Sequence, residues 1–329
     1  MTLRAFLIKR LLYTVVLILF VITLNFIIFQ AMPGYQGQFY LLFSRPRVTP
    51  QQYDKLVEQF GLNQSIYVRF EDYVKSLLTF NFGYSYTDGQ PVGQEVIQSG
   101  RLVNTLLLLG GSSILAIIIG ILLGIVVSTR RGSAFDNFWV TSSLVTFSLP
   151  TFFMGIILIF IFGVGLHWFP SGGSYNLVGL NALQIIYAIP NLLYTLFLPT
   201  LTLTLFTYGG FLLLTRATMM EVLGEDYIVT ARAKGLSRRV VLLRHAFKNA
   251  SLPLITASAL NFAFILSGAV ITETVFNYNG LGYWLFNAIT NKDWPVLSAM
   301  FYIIALMVVA ANLISDILYG VVDPRIKYE

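Results

Sequence analysis

The side chains able to do chemistry in this chain are few. There is no cysteine, and the two histidines, His167 and His245, stand far apart in the sequence. Disulfides, a thiolate nucleophile and a cysteine metal site are therefore excluded, and a histidine-rich metal centre or a membrane-embedded hydrolase finds no support. No G-x-x-x-x-G-K-[ST] phosphate loop occurs, so the chain lacks that means of hydrolysing ATP. What remains is a set of polar residues inside apolar runs and one polar, basic stretch, Glu225–Pro253, reading EDYIVTARAKGLSRRVVLLRHAFKNASLP.

The basic stretch has internal order. From Met219 to Asn249, apolar and charged residues alternate at helical spacing, with a break at Gly235. A glycine there supplies the left-handed conformation that ends a helix. A short helix ending at Gly235, with small Ala231 and Ala233, presents a narrow backbone to a groove in a partner. Ser237 is placed to cap the next helix. That helix carries Arg238, Arg239, Arg244 and Lys248, cations suited to anionic headgroups or acidic partner residues. Leu252-Pro253 closes the segment, and Pro253 suits the first turn of a following span. The plain alternative is a solvated, basic connector on the cytoplasmic side.

Polar residues within apolar runs normally face a bundle interior or a wet pathway. Asn25 is one. Ser258, Asn261, Ser267, Thr272 and Glu273 share a single run that directly follows the basic stretch, which makes it the best candidate to line a translocation path. For Glu273, local pairing or capping of the next loop stands beside that reading. Asp316 and Asn312 fit a structural interface rather than a proton relay, because no second acid or histidine lies near them in sequence. His167, beside Trp168, fits an outer aromatic belt.

The elements that must position these residues are membrane spans. The chain has 329 residues, 56% hydrophobic and only 11% charged, where soluble proteins carry about a quarter charged. Lipid must therefore solvate much of the surface. Six runs are long enough to span: Leu11–Ala31, Val103–Ser128, Val140–Phe162, Leu198–Thr215, Leu254–Val275 and Val296–Tyr319. The first is too long for a signal-peptide core and has no cleavage pattern after it, so it is taken as a retained span. Leu183–Leu196, interrupted by Pro190, is expected to lie at the interface. The net charge of +6 reflects Lys and Arg held inside rather than a nucleic-acid partner, and it places both termini in the cytoplasm.

Three units result: residues 1–31 with the first span, an extracellular loop 32–102, and a core 103–329 that includes the basic loop 217–252. Within the outer loop, Thr49–Phe60 and Ile66–Phe80 have helical spacing. Ile66, Phe70, Tyr73, Val74, Leu77 and Leu78 share one face, expected to lie on the membrane or cap the domain. Gly120 and Gly124 form a small-xxx-small face for close helix packing. Pro150, Pro199 and Gly209-Gly210 are expected kink points.

The pattern DYIVTARAKGLS…LLRHAFKNASLP resembles the coupling loop of permease subunits of binding-protein-dependent ABC importers. Further stretches resemble the peptide/nickel branch of that family: LIKRLLYTVVLILFVITLNF, the Met32-Pro33-Gly34 turn, FGLNQSIYVRFEDYV, FNFGYSY, FSLPTFF at Phe147–Phe153, LHWFPSGG, TETVFNYNGLG and VDPRIKY. Together they cover nearly the whole chain. The resemblance implies an all-α polytopic fold of the type I importer permease class, with six transmembrane helices and a cytoplasmic coupling helix. It implies a homologous second permease, two ATP-binding cassette ATPases that bind ATP and Mg, an extracellular substrate-binding protein, and no cofactor on this chain. ATPase coupling would fall to Glu225, Asp226, Tyr227, Ala231, Arg232, Ala233, Lys234, Gly235 and Leu236.

There are departures. The general motif opens Glu-Ala-Ala, whereas the matching positions here are Val229, Thr230 and Ala231. Glu225 or Asp226, about a turn earlier, is the available substitute for the missing acid. Tyr35-Gln36 replaces the usual Asp-Pro, and Asn279 stands where many relatives have proline. The implied cargo is di- or oligopeptides, with oligosaccharides or metal chelates as the alternative within the branch. A stand-alone secondary transporter would call for paired buried charges or an inverted repeat, and the sequence displays neither.

Overall fold

The computed structural model describes residues 3–29 and 64–322. The Met32-Pro33-Gly34 turn, Tyr35-Gln36, the Thr49–Phe60 segment and the terminal DPRIKY lie outside the described residues, as does the side chain of Ser267. Among the described residues the architecture is helical throughout, with one isolated bridge between Tyr84 and Pro91. In chain order the helices are α1 (Leu3–Phe29), α2 (Ile66–Leu78), α3 (Val92–Gln98), α4 (Arg101–Ser128), α5 (Ala134–Ser148) and α6 (Thr151–Leu158), which runs on as a π-helix over Ile159–Gly165. Next come α7 (Ala182–Leu223), α8 (Asp226–Ala233) and α9 (Arg238–Val240), the last followed by a π-helix over Val241–Phe247. The chain closes with α10 (Lys248–Val275), α11 (Leu281–Asn291) and α12 (Trp294–Val322).

Four of these helices have stretches long and apolar enough to cross a membrane: Ile8–Phe29, Arg101–Ser128, Ala182–Leu223 and Trp294–Ile317. The expected fifth run, Leu254–Val275, lies inside α10. The third expected span is not a single rod. α5 and the α6 pair meet at a bend of 107°, because Pro150 excludes Leu149 from the helical region. Leu149 sits at φ −80° and ψ 135°, the extended conformation a residue before proline prefers.

Two further expectations are corrected. Leu183–Leu196 is not an interfacial segment separate from a span at Leu198–Thr215. Both belong to α7, a helix of 42 residues with Pro190 and Pro199 inside it. At about 1.5 Å per residue it is roughly twice as long as the hydrocarbon core is thick, about 30 Å. Burial of Ala188, Leu192, Leu196, Leu198 and Leu203 along it holds the helix across prolines that would break an isolated one. An Asn181–Gln184 capping box fixes its start. Pro253 likewise lies inside α10 rather than opening a new helix.

α4 and α7 form the central pair. A Cβ on Gly120 would fall 2.6 Å from the Tyr208 carbonyl, and one on Gly124 would fall 2.8 Å from that of Leu212. These glycines therefore set the approach of two backbones. Gly209 makes a second such contact, 2.8 Å from the Ser143 carbonyl of α5 by the same measure. Outside the core, α2 packs Tyr73 and Leu77 against Ile22, Phe26 and Tyr302. Ile66 and Leu78, assigned to the same face, stay exposed.

Candidate docking segment and candidate path

α8 is held by two side chains. Ile228 is fully buried and Ala231 is 5% exposed. One helical turn apart, they pack against Ile125, Met219, Val241, Ala246 and Ala250. Burying an isoleucine contributes about 1.5–3 kcal/mol, enough to seat a helix this short on its neighbours. Glu225 and Asp226 sit at its N-terminal end and Arg232 in its last turn, charges that suit the helix dipole. Gly235 ends the unit at φ +74° with open space where a Cβ would project. Ser237 precedes α9 but donates and accepts no capping bond through its side chain. Its carbonyl accepts from the Val241 N–H at 3.1 Å.

Ala231 is enclosed, its small side chain taken up by the chain's own packing. The exposed face of the segment is formed by Asp226, Tyr227, Val229, Thr230 and the continuous run Arg232–Arg239. Val229, the position of the missing acid, is 60% exposed, and exposed Glu225 and Asp226 lie about one turn before it. Asn249 donates to the Tyr227 hydroxyl at 2.8 Å, pinning the ring to the start of α10. Beside this surface a cavity of about 540 Å³ is lined by Arg232, Arg238, Leu236 and the end of α4 at Ser128 and Thr129. The joints are short: two residues separate α7 from α8, four separate α8 from α9, and α9, the π-helix and α10 then follow one another without a break.

The path residues separate into two groups. Ser258 lines a largely apolar cavity of about 910 Å³ between α4, α10 and α12, together with Leu106, Ile117, Leu254 and Ile314. Asn261 is half-buried and donates to Ser113 Oγ at 3.4 Å. Thr272 and Glu273 do not join them. Both are buried by the chain's own helices, so neither lines an open path in this conformation.

Glu273 instead fastens the following loop. It accepts from Thr105 Oγ at 2.7 Å and from the Tyr283 N–H at 2.9 Å. The Leu281 N–H donates to Thr105 Oγ1 at 2.8 Å, and the Tyr278 N–H donates to the Glu273 carbonyl at 2.8 Å. A side chain on Gly280 would overlap the carboxyl. The TETVFNYNGLG stretch is thus the end of α10, a tight turn over residues 276–280 and the start of α11, with Glu273, Phe276 and Tyr278 buried. Asn279 has its own use: its Oδ1 accepts from Arg101 Nε at 3.3 Å and its carbonyl from Asn104 Nδ2 at 2.8 Å. Arg101 also pairs with Glu95 and lies 4.2 Å over the Trp284 ring.

Three charged fasteners join remote parts of the chain; Asp293 and Asp136 have no place among the expectations above, whereas Asp316 fits the structural interface expected of it. Asp293, 2% exposed, accepts from Ser85 Oγ at 2.6 Å and from the Tyr86 and Thr87 N–H groups at 3.1 Å each. Asp136 takes a bidentate guanidinium from Arg216. Asp316 pairs with Arg10, joining α12 to α1. Lone charges in or beside apolar helices are the available signal, but their partners are remote in sequence.

Residues 105–328 match the family described as the binding-protein-dependent transport system inner membrane component, and residues 3–108 match its N-terminal companion. The chain belongs to this family. It is a permease subunit of a binding-protein-dependent ABC importer, all-α and multi-pass in the membrane. It is similar to the oligopeptide transport system permease protein AppB of Bacillus subtilis (strain 168), 36% identical over 98% of this chain and 99% of the relative. The di/tripeptide transport system permease protein DppB of Pseudomonas aeruginosa (strain UCBPP-PA14) is 34% identical over 93% and 94%. The glutathione transport system permease protein GsiC of Salmonella typhimurium (strain LT2) is 33% identical over 98% and 99%.

Proposed function

We propose that this permease forms half of a translocation path for di- and oligopeptides, paired with a homologous second permease. An extracellular binding protein delivers the cargo, and two ATP-binding cassette ATPases, which bind ATP and Mg, drive the cycle. The chain itself carries no cofactor and hydrolyses nothing. Both termini and the segment 225–239 face the cytoplasm. The observation that carries this reading is a short helix with an exposed outer face, fixed by two buried side chains between helices that run on into the membrane. Glu225, Asp226, Tyr227, Arg232, Ala233, Lys234 and Leu236 meet the ATPase, and Gly235 shapes the turn between the two contact runs. Peptide cargo is supported by the relatives, whose names specify oligopeptides, di- and tripeptides, and glutathione. Ser258 and Asn261 are the path residues this conformation leaves accessible.

The test is reconstitution of the permease pair with its ATPases and binding protein in proteoliposomes, with uptake of labelled dipeptide read over time. Uptake that needs both ATP and the binding protein, and that falls at least tenfold with Gly235→Asp, supports the reading. Uptake by this chain alone without ATP would reject it.

A further inference from the structure

The seam between α5 and α7 is built in register. Starting from the cytoplasmic end, Asp136 pairs with Arg216, with Nε–Oδ1 at 2.7 Å and Nη2–Oδ2 at 2.9 Å. One heptad further along both helices, the backbones touch where Gly209 meets Ser143. Ser142 Oγ and the Tyr208 hydroxyl are 2.9 Å apart. At the far end, Phe147 stacks on Phe206 at 5.8 Å and 16°. Along α5 the buried residues are Asp136 and Ser143, and partly buried Trp139 packs beside Ala116 of α4 and Tyr208 and Leu212 of α7.

Asp136 is also the fixed point of the turn that enters α5. It accepts from the Gly132 N–H at 2.8 Å, and its own N–H donates to the Ser133 cap at 3.2 Å. Arg216 lies about two turns before the end of α7 at Leu223, close to the docking helix. One carboxylate therefore ties the α4–α5 turn, the start of α5 and the lower end of α7 together. A partly buried, bidentate pair at one point of a packed seam is well suited to fixing helix register. Past the seam the chain breaks by 107° at Leu149-Pro150.

From this geometry we propose that Asp136 and Arg216 are positioning residues of the transport stroke. Their pair locks α5 to α7, so that movement of the docking helix carries both as one body, and the break at Leu149-Pro150 takes up the motion. This rests on the docking role proposed above.

This chain has no native cysteine, so spin labels can be placed on it alone, before assembly with unlabelled partner subunits. Spin labels at Phe138→Cys and Ala217→Cys span the seam, and labels at Phe138→Cys and Phe160→Cys span the break; all three positions are exposed. Between nucleotide-free and ATP-bound importer, the seam distance is expected to hold and the break distance to shift. Asp136→Asn is expected to cut peptide moved per ATP hydrolysed at least tenfold while ATPase subunits still bind. Arg216→Lys, which keeps the charge but loses the bidentate fork, gives a smaller loss and covers the case in which Asp136→Asn does not fold. A seam distance that changes as much as the break distance would overturn the proposal. So would an unchanged transport-to-hydrolysis ratio in both variants. Either result leaves the docking role standing, whereas an unmodified chain that binds no ATPase would overturn both.

Discussion

The two ends of this molecule are held in opposite ways. At the end that carries α11, buried carboxylates are saturated by the chain itself: Glu273 by Thr105 and the Tyr283 backbone, Asp293 by Ser85 and two loop N–H groups. At the docking end, Ile228 and Ala231 provide the seat while Arg232, Lys234, Arg238 and Arg239 stand exposed. The contrast separates scaffold from interface. A polar group that is enclosed must find its partner within the chain, because an unmet buried group costs about 1–3 kcal/mol and more when charged. Polar groups left in water carry no such obligation and remain free to meet another protein.

That contrast can be broken first at its strongest point. Glu273→Ala removes the acceptor for Thr105 and Tyr283 together and leaves a void, so a loss of about 3 kcal/mol is expected. It should appear as a lower thermal midpoint of the purified chain in detergent; an unchanged midpoint would mean the outer loop is not a fastened scaffold. Asp293→Ala should cost about 2 kcal/mol by the same reasoning, with faster proteolysis within residues 85–91 as a local readout. Gly235→Ala is expected to cost about 1 kcal/mol, since only the left-handed φ is strained and no neighbour is struck. Its effect on ATPase affinity should exceed its effect on melting, and the reverse order would assign Gly235 to the scaffold. Asp316→Asn is expected to be smallest, at most about 1 kcal/mol, because the Arg10 pair is partly exposed.

How much of this was legible beforehand follows from the range of each signal. Gly235 announces its turn because a left-handed residue is a local demand. The long apolar runs announce spans for the same reason. Proline misleads in both directions: Pro150 breaks its span outright, whereas Pro190, Pro199 and Pro253 sit inside continuous helices that tertiary burial holds together. The smallness of Ala231 suits either a partner's groove or the chain's own packing, because size does not say which neighbour it admits. In sequence Glu273 suits path and loop equally, and its enclosure by Thr105, Gly280 and Tyr283 ties it to the loop in this conformation. The ion pairs were out of reach, since Arg10 and Asp316 are 306 positions apart and Asp136 and Arg216 are 80 apart. Periodicity carries no information over such separations.

The central claim is that the outer face of α8 is an ATPase contact, and cysteine cross-linking tests it most directly. Val229→Cys, at a position 60% exposed, and Ile228→Cys, at a position with no exposure, place neighbouring thiols on opposite faces of one helix in a chain without native cysteine. With a short bifunctional reagent and the assembled importer, Val229→Cys should give an adduct with an ATPase subunit, and Ile228→Cys should give none. An adduct with the extracellular binding protein, or no ATPase adduct from Val229→Cys, would contradict the account.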